Sequence, residues 1–215
     1  MPRDPSPRLV TRGESPAVSF PVGVDWLNAS VCLPAAQCDP QDVYEAIASC
    51  HPRCEFEAGK GLHGYEHGVV CKLTQARVCW GGEAQKQTCW LSLPGTWFAG
   101  LIGSDEGYLW LRYYLETWHA KITRVDLACD FFEGEVTVDD CVRWWRDGVF
   151  TLRGRRPTTS LVGDWLEWMR GRTLYVGKAK NGKLIRCYEK DKEQGSDAPV
   201  SRWLRIEAQL SNQDR

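Results

Sequence analysis

Acidic, basic and phenolic side chains alternate with other residues in three short segments near the C-terminal end of the chain. The segments are Arg124–Asp130, Arg186–Lys190 and Arg205–Gln209. Each pattern predicts a β-strand, in which residues two positions apart point to the same side. If the strands share one sheet, their carboxylates, cations and phenol can converge. Such a group of side chains is suited to metal-assisted attack on a phosphodiester.

Three carboxylates are the candidate metal ligands: Asp126, Asp130 and Glu207. Each lies on the polar side of a strand whose other side is apolar. Burying a carboxylate costs free energy unless it is paired with a cation or bound to a metal. For Asp126 and Asp130, salt bridges to Arg124 and other cations are the alternative interpretation. Because three hard oxygen ligands suit Mg²⁺ or Mn²⁺ better than zinc, we expect one of those two ions.

Tyr188 is the candidate nucleophile, because Arg186 and Lys190 flank it at alternate positions. A free phenol has a pKa of about 10, so about one in a thousand is ionised at neutral pH. Lowering that pKa by about 3 units takes on the order of 4 kcal/mol, which the two cations or a metal could supply. Tyr175 is the second candidate, but it lacks flanking cations. For either residue, a half-buried structural tyrosine is the alternative.

Basic residues are concentrated in the last part of the chain. Residues 153–215 contain 14 Lys and Arg against 8 Asp and Glu, although the whole chain has a net charge of -1. A basic portion beside carboxylates suits a bound polyanion, while a solvated surface is the alternative. The candidate phosphate-binding cations are Arg124, Arg186, Arg205 and Lys178. Most of the 11 tryptophans should be core residues, but some could present flat surfaces to bases.

Cysteines and histidines give weaker indications of a metal site. Cys50 and Cys54 are spaced more widely than the CxxC pairs of zinc sites, so reduced and mostly buried cysteines are favoured. Gly64 lies between His63 and His67 and argues against a helix that would bring the two histidines together. We therefore interpret these histidines as DNA-facing or structural.

The strands and helices predicted around these residues form an α+β pattern. Hydrophobic periodicity and turn residues predict strands at 22–33, 64–73, 77–80, 88–93, 121–132, 172–178, 183–192 and 202–210. Capping residues and helical spacing predict helices at 39–49, 94–102, 106–119 and 137–146. We expect a largely antiparallel central sheet with helices packed on one side, and two βαβ-like halves are compatible with this order.

The composition of the remaining segments indicates how the chain is divided into domains. Residues 1–20 are rich in Pro, Ser and Arg and predict a disordered lead-in, followed by a single domain at 21–215. No apolar run approaches a membrane span or a signal peptide, so a cytoplasmic protein is expected. Because the chain stops close to the end of a predicted strand, a further C-terminal region is also expected.

In these motifs the chain resembles the replication initiation factors of rolling-circle plasmids and filamentous phages, a family that includes nickases of conjugative transposons. The matching motifs follow the family's order and span residues 22–212: Val24–Leu27, Arg124-x-Asp126-x-x-x-Asp130, Thr173–Gly177, Arg186-x-Tyr188-x-Lys190 and Arg205-x-Glu207.

The resemblance implies a DNA nicking-closing enzyme. Tyr188 would attack a phosphodiester in single-stranded or cruciform origin DNA, leaving a 5′-phosphotyrosine and a free 3′-hydroxyl primer, and would later religate the strand. The implied metal ligands are Asp126, Asp130 and Glu207, and the implied phosphate-orienting cations are Lys190, Arg186 and Arg205. A host helicase and a second copy of the chain are the expected protein partners, in the cytoplasm of a bacterium that carries the phage or plasmid.

Two other functions fit the same residues. A non-catalytic single-stranded nucleic-acid-binding module would need no metal and would tolerate replacement of Tyr188 by Phe. A metal-dependent nuclease that uses water would need the metal but not the phenol. Replacement of Tyr188 and removal of the metal therefore distinguish the nicking enzyme, the binding module and the nuclease that uses water.

Overall fold

The computed structural model describes residues 22–85, 87–101, 105–151, 154–167 and 170–212. The predicted lead-in at 1–20 lies outside these residues. By its internal contacts the chain divides into two compact units, and the boundary falls after Asp126. We call Val24–Asp126 the first unit and Leu127–Leu210 the second unit, and describe each by itself.

The first unit combines short strands with helices. Its elements are β1 (Val22–Cys32), α1 (Leu33–Ala36), α2 (Pro40–Ser49), β2 (Glu57–Lys60), β3 (His67–Val70), β4 (Arg77–Trp80), β5 (Thr88–Pro94), α3 (Gly95–Ala99), α4 (Asp105–Thr117) and the first half of β6 (Lys121–Phe131). Strands β2, β3, β4, β5 and β1 are hydrogen-bonded in that order, each pair antiparallel. Their apolar sides and helix α2 form one hydrophobic core.

Helix α2 shows why the sequence begins a helix where it does. The Asp39 side chain accepts hydrogen bonds from the backbone N–H groups of Gln41 and Asp42. In return, the Asp42 carboxylate accepts a hydrogen bond from the backbone N–H of Asp39. Pro40 occupies the first helical position, where its missing N–H costs no hydrogen bond. The predicted helix is confirmed, and its buried Val43 belongs to the core of the first unit.

The second unit carries the three C-terminal strands. After the second half of β6 come α5 (Val138–Arg146), β7 (Thr159–Gly163), β8 (Arg172–Lys178), β9 (Lys183–Glu189), α6 (Lys190–Glu193) and β10 (Leu204–Ser211). Strands β10, β9, β8 and β7 are neighbours in that order and pair antiparallel. Gly182 makes the tight turn between β8 and β9 at φ 78, a conformation that favours glycine.

One face of this sheet is covered by α5. Thr137 and Asp140 form a reciprocal cap that starts the helix at the predicted place. The helix buries Cys141 and Trp144 in a core with apolar side chains of β8 and β9, among them Cys187. Because side chains alternate along a strand, Tyr175 of β8 and Tyr188 of β9 lie on the opposite face. The buried ion pair of Arg172 and Glu189 lies on the α5 face, where Arg172 also binds Asp139.

The predicted α+β class with a largely antiparallel sheet is confirmed. Strands β2 and β7 were not predicted, because each has only four or five residues and weak alternation. The strand predicted at 183–192 is too long: β9 ends at Glu189, and Lys190 begins the short helix α6. All ten cysteines are described as free thiols and seven are buried, as expected. In the part of the chain that is described, no helix is long and apolar enough to cross a membrane.

Candidate active site

The polar face of β8, β9 and β10 gathers four of the predicted site residues, which are Arg186, Tyr188, Arg205 and Glu207. In the sheet register, Tyr188 lies opposite Arg205 of β10, and Arg186 lies opposite Glu207. Residues directly opposite each other in an antiparallel pair point to the same side. We call this surface the site face, and its members are Thr173, Tyr175, Arg186, Tyr188, Arg205 and Glu207.

The apolar residues between these positions explain the arrangement. Leu174, Cys187 and Ile206 alternate with the site-face residues and pack into the core of the second unit. A shift of one residue in register would turn these side chains to the other side of the sheet and their polar neighbours into the core. The predicted alternation is therefore confirmed for β9 and β10.

Tyr188 is buried, with 9% of its surface exposed. The Lys190 Nζ lies 5.4 Å from the centroid of its ring and also binds the Glu193 carboxylate. Burial raises the pKa of the Tyr188 phenol; Lys190 and Arg205 favour the phenolate, whereas Glu193 disfavours it. The pKa depression expected from the flanking cations is therefore outweighed by burial, and the phenol is protonated at neutral pH.

Asp130 fixes the cation opposite Tyr188. Its carboxylate accepts hydrogen bonds from Arg205 Nε at 2.8 Å and Nη2 at 2.7 Å, a bidentate pair. The indole Nε1 of Trp203 donates to the same carboxylate at 2.6 Å. Because charge-assisted bidentate pairs are geometrically specific, Asp130 holds the Arg205 guanidinium in place beside the phenol.

Glu207 and Arg186 form a second ion pair on the site face. The Glu207 side chain is almost fully buried, and Arg186 Nη2 donates to its Oε1. A carboxylate in such a place requires a cationic partner, because leaving it unpaired would cost several kcal/mol, roughly 3–5. Arg186 fills that role here.

Asp126 belongs to the first unit and shows the same pattern. Its buried carboxylate accepts a hydrogen bond from Arg124 Nε at 2.8 Å, and Arg124 Nη2 donates to its other oxygen. The guanidinium carbon of Arg124 also lies 5.2 Å from the centroid of the Trp26 ring. The early motif at Val24–Leu27 thus contributes an aromatic residue that positions this arginine.

The three carboxylates do not form a metal site as they stand. Their oxygens are the ligand type that Mg²⁺ and Mn²⁺ prefer. However, no group of three His, Cys, Asp or Glu side chains within the described ranges is arranged to hold an ion. Instead each carboxylate is paired with an arginine. The arrangement fits the salt-bridge alternative, and a divalent ion does not fit without rearrangement.

Two further candidates, Tyr175 and Lys178, lie on β8, the strand next to Tyr188. Tyr175 is on the site face, opposite Arg186, and is half-buried. Lys178 is exposed at the end of β8, five residues from Thr173, which is the β8 partner of Tyr188. At about 3.3 Å per residue this is roughly 16 Å along the strand, so Lys178 does not adjoin the phenol. Its role in binding DNA stays a prediction.

The two histidines singled out in the sequence make aromatic contacts in the first unit. His63 meets Trp90 edge-on with ring centroids 4.6 Å apart, and His67 lies 6.1 Å from Trp80. These contacts agree with the structural interpretation.

Sequence reasoning missed three contributors to the site: Glu193, Trp203 and Phe132. The ring of Phe132 contacts that of Trp203, with centroids 5.1 Å apart. The run Arg202-Trp203-x-Arg205, in which cations alternate with an aromatic residue, was the available signal for Trp203. Glu193 gave no such signal, because its contact with Lys190 depends on the turn of α6.

Comparisons with known proteins agree with this architecture. Residues 120–215 match the family model described as replication initiation factor. The fold is similar to that of a rolling circle replication initiator protein from Geobacillus stearothermophilus, with a TM-score of 0.63 and 23% identity over 90% of this chain and 75% of that one. No curated protein sequence matches the chain. The resemblance to replication initiation factors is thereby confirmed, and the matched segment contains the whole site face.

Proposed function

We propose that this protein initiates rolling-circle replication by nicking and closing origin DNA, with Tyr188 as the nucleophile. The observation that carries the proposal is the position of Tyr188, which lies below Lys190 and opposite Arg205 on a polar sheet face. That face lies within the segment that matches replication initiation factors. Two cations next to a phenol are suited to binding a phosphodiester and favouring the phenolate.

The chemistry is a transesterification. The phenolate oxygen of Tyr188 forms a bond to phosphorus while the bond from phosphorus to the 3′ oxygen breaks. The 5′ side of the strand break stays attached to the enzyme as a phosphotyrosine, and the released 3′ oxygen takes up a proton to become the primer hydroxyl. Because the covalent link retains the energy of the phosphodiester, the reverse reaction can close the strand.

The cations have distinct tasks in this proposal. Arg205, held by Asp130, presents a fixed guanidinium where a phosphate approaching Tyr188 would bind. Lys190 lies over the ring and favours loss of the phenol proton. Positive charge that is already oriented stabilises the developing negative charge on the phosphoryl oxygens without reorganisation.

A requirement for Mg²⁺ or Mn²⁺ remains part of the proposal on chemical grounds, since divalent ions assist phosphoryl transfer. In this structure, however, arginines occupy the three carboxylates. Ligation by Asp130 and Glu207 would require Arg205 and Arg186 to move away, and the same holds for Asp126 and Arg124. The proposed partners are single-stranded or cruciform origin DNA, a host helicase and a second copy of the chain.

The test is a nicking assay on a labelled single-stranded oligonucleotide that contains the nick site of the same replicon. Wild-type protein should form a protease-sensitive protein–DNA adduct, and Tyr188→Phe should form none. Tyr175→Phe is the matched control, because Tyr175 lies on the same face and lacks a flanking lysine; it should retain the adduct. Parallel reactions in Mn²⁺, Mg²⁺ and EDTA measure the metal requirement, with EDTA expected to abolish the adduct.

Other outcomes would indicate a different nucleophile or a different function. Cleavage that survives in Tyr188→Phe without an adduct would indicate a nuclease that uses water. An adduct retained in Tyr188→Phe and lost in Tyr175→Phe would transfer the nucleophile to Tyr175. Binding without cleavage by the wild type in either ion would favour the non-catalytic nucleic-acid-binding module.

A further inference from the structure

An aromatic pair, of which Phe132 is exposed and Trp203 is half-buried, lies beside the candidate active site in the second unit. Phe132 directly follows the end of β6 and has 59% of its surface exposed, although its neighbour Phe131 is fully buried. Its ring is tilted against that of Trp203, with centroids 5.1 Å apart. Large apolar side chains that stay exposed next to a polar site are a common feature of binding surfaces.

Backbone pairing places Trp203 two residues along β10 from Arg205, which lies opposite Tyr188. The N–H of Lys190 donates to the carbonyl oxygen of Trp203 at 2.8 Å, which continues the pairing in which Arg205 lies opposite Tyr188. Trp203 and Arg205 are therefore neighbours on the same side, about 7 Å apart along the strand. Neighbouring nucleotides of an extended single strand can span that distance.

One carboxylate orients both the aromatic ring and the cation. Asp130 accepts the Trp203 indole N–H and the bidentate pair from Arg205. The polar atom of the indole is therefore satisfied, and its ring, half-buried against Phe132, keeps part of its surface accessible. Arg202, which is exposed next to Trp203, adds a further cation.

We propose that Phe132 and Trp203 form a stacking site for a nucleobase next to the phosphodiester that Tyr188 attacks. The inference rests on the proposed function, because it takes single-stranded DNA as the occupant. Aromatic rings that alternate with arginines are the combination that binds single strands without strict sequence preference. Helix α4 provides the contrast: its exposed aromatic residues Trp110 and Tyr113 lie among Glu106, Arg112 and Glu116. Because Arg112 is paired with Glu116, one acidic residue remains in excess there, which disfavours a phosphate.

The test compares oligonucleotides in which each position around the nick site is replaced in turn by an abasic site. Binding is measured by fluorescence anisotropy in the Tyr188→Phe background, so that no cleavage occurs. We expect the abasic site at one position next to the scissile phosphate to weaken binding about tenfold. Phe132→Ala should weaken binding of the intact oligonucleotide by a similar factor and remove the penalty of that abasic site.

Matched variants separate stacking from loss of structure. Tyr113→Ala, which removes a ring of similar exposure at 53%, should leave both the affinity and the abasic profile unchanged. Trp203→Phe keeps a ring but loses the hydrogen bond to Asp130, and should retain most of the abasic penalty. A profile in Phe132→Ala identical to that of the parent protein, or no penalty at any position, overturns the stacking site. Nicking by wild-type protein, assayed separately, would in either case leave the proposed function standing.

Discussion

The reactivity of Tyr188 depends on opposing electrostatic effects within the second unit. Burial raises the pKa of the phenol, while Lys190 and Arg205 favour its ionised form. Lys190 itself is held by Glu193; burial opposes its charge, but contact with Glu193 and the phenol leaves its pKa raised. The lysine is therefore charged at neutral pH and can only favour the phenolate.

This balance predicts the pH dependence of nicking. Because the phenolate is the nucleophile and the pKa is raised, the single-turnover rate of adduct formation should increase through pH 7–9, by about tenfold per unit if deprotonation limits attack. In Lys190→Gln the positive charge is lost and the pKa rises further. Less phenolate is then present at each pH, so the rate should fall roughly 3- to 10-fold.

Quenched-flow or gel measurements of the adduct across this pH range provide the check. Lys183→Gln, at the exposed far end of β9, is the control and should follow the wild-type profile. Superimposable profiles for Lys190→Gln and wild type would exclude Lys190 from activation of the phenol.

At the scale of elements, β9 is fixed from the face opposite Tyr188. Arg172, at the start of β8, donates to both oxygens of Glu189 through its backbone N–H and guanidinium, at 2.7 to 3.1 Å. It also binds Asp139 of α5 at 3.1 Å. Arg172 and Glu189 are both buried. Because Glu189 lies between Tyr188 and Lys190, this ion pair anchors the segment that carries the nucleophile.

Breaking the anchor should destabilise the second unit. Arg172→Met leaves the Glu189 carboxylate buried without its arginine, and the free energy of unfolding should fall by about 3–5 kcal/mol in urea denaturation. The double variant Arg172→Met/Glu189→Gln removes that charge and should recover part of the loss.

A matched control comes from α5. Arg143 pairs with Asp140 at the protein surface, with 64% of its side chain exposed, so Arg143→Met should cost less than about 1 kcal/mol. If Arg143→Met and Arg172→Met lowered the free energy of unfolding equally, burial of the ion pair would not explain the cost of breaking it.

At the scale of the whole molecule, the charge distribution bears on how DNA is bound. The chain has a net charge of -1, but residues 153–215 carry an excess of six basic residues. Any attraction for DNA must therefore come from local cations rather than from the total charge. Arg186 and Arg205 are already paired with carboxylates, which reduces their contribution until a phosphate competes for them.

Salt titration measures this contribution. If about four to six phosphates are contacted, the logarithm of the affinity for single-stranded origin DNA should fall with the logarithm of salt concentration at a slope of roughly -3 to -4. Anisotropy measurements from 50 to 300 mM salt, with Tyr188→Phe to prevent cleavage, give the slope. A slope near zero would contradict a basic DNA-binding surface.

Local patterns in the sequence predicted most of the strands and the residues that share their polar sides. Alternation of apolar and polar residues is a local property, so it predicted that Tyr188 and Arg186 face away from Cys187. Capping residues are equally local, and they predicted that helices begin at Asp39 and Thr137. The motifs also identified the family resemblance. Short strands such as β7 were missed, because five residues with weak alternation carry little local signal before they pair with β8.

The partner of each charged residue, by contrast, followed from the tertiary structure. Alternation places a carboxylate on a face but does not specify what it binds, because that depends on the cross-strand register and on neighbouring strands. The register sets Arg186 against Glu207, and Arg205 reaches Asp130 on another strand. Burial of Tyr188 depends likewise on everything packed around it, and so its pKa is raised although the sequence around it suggested the reverse.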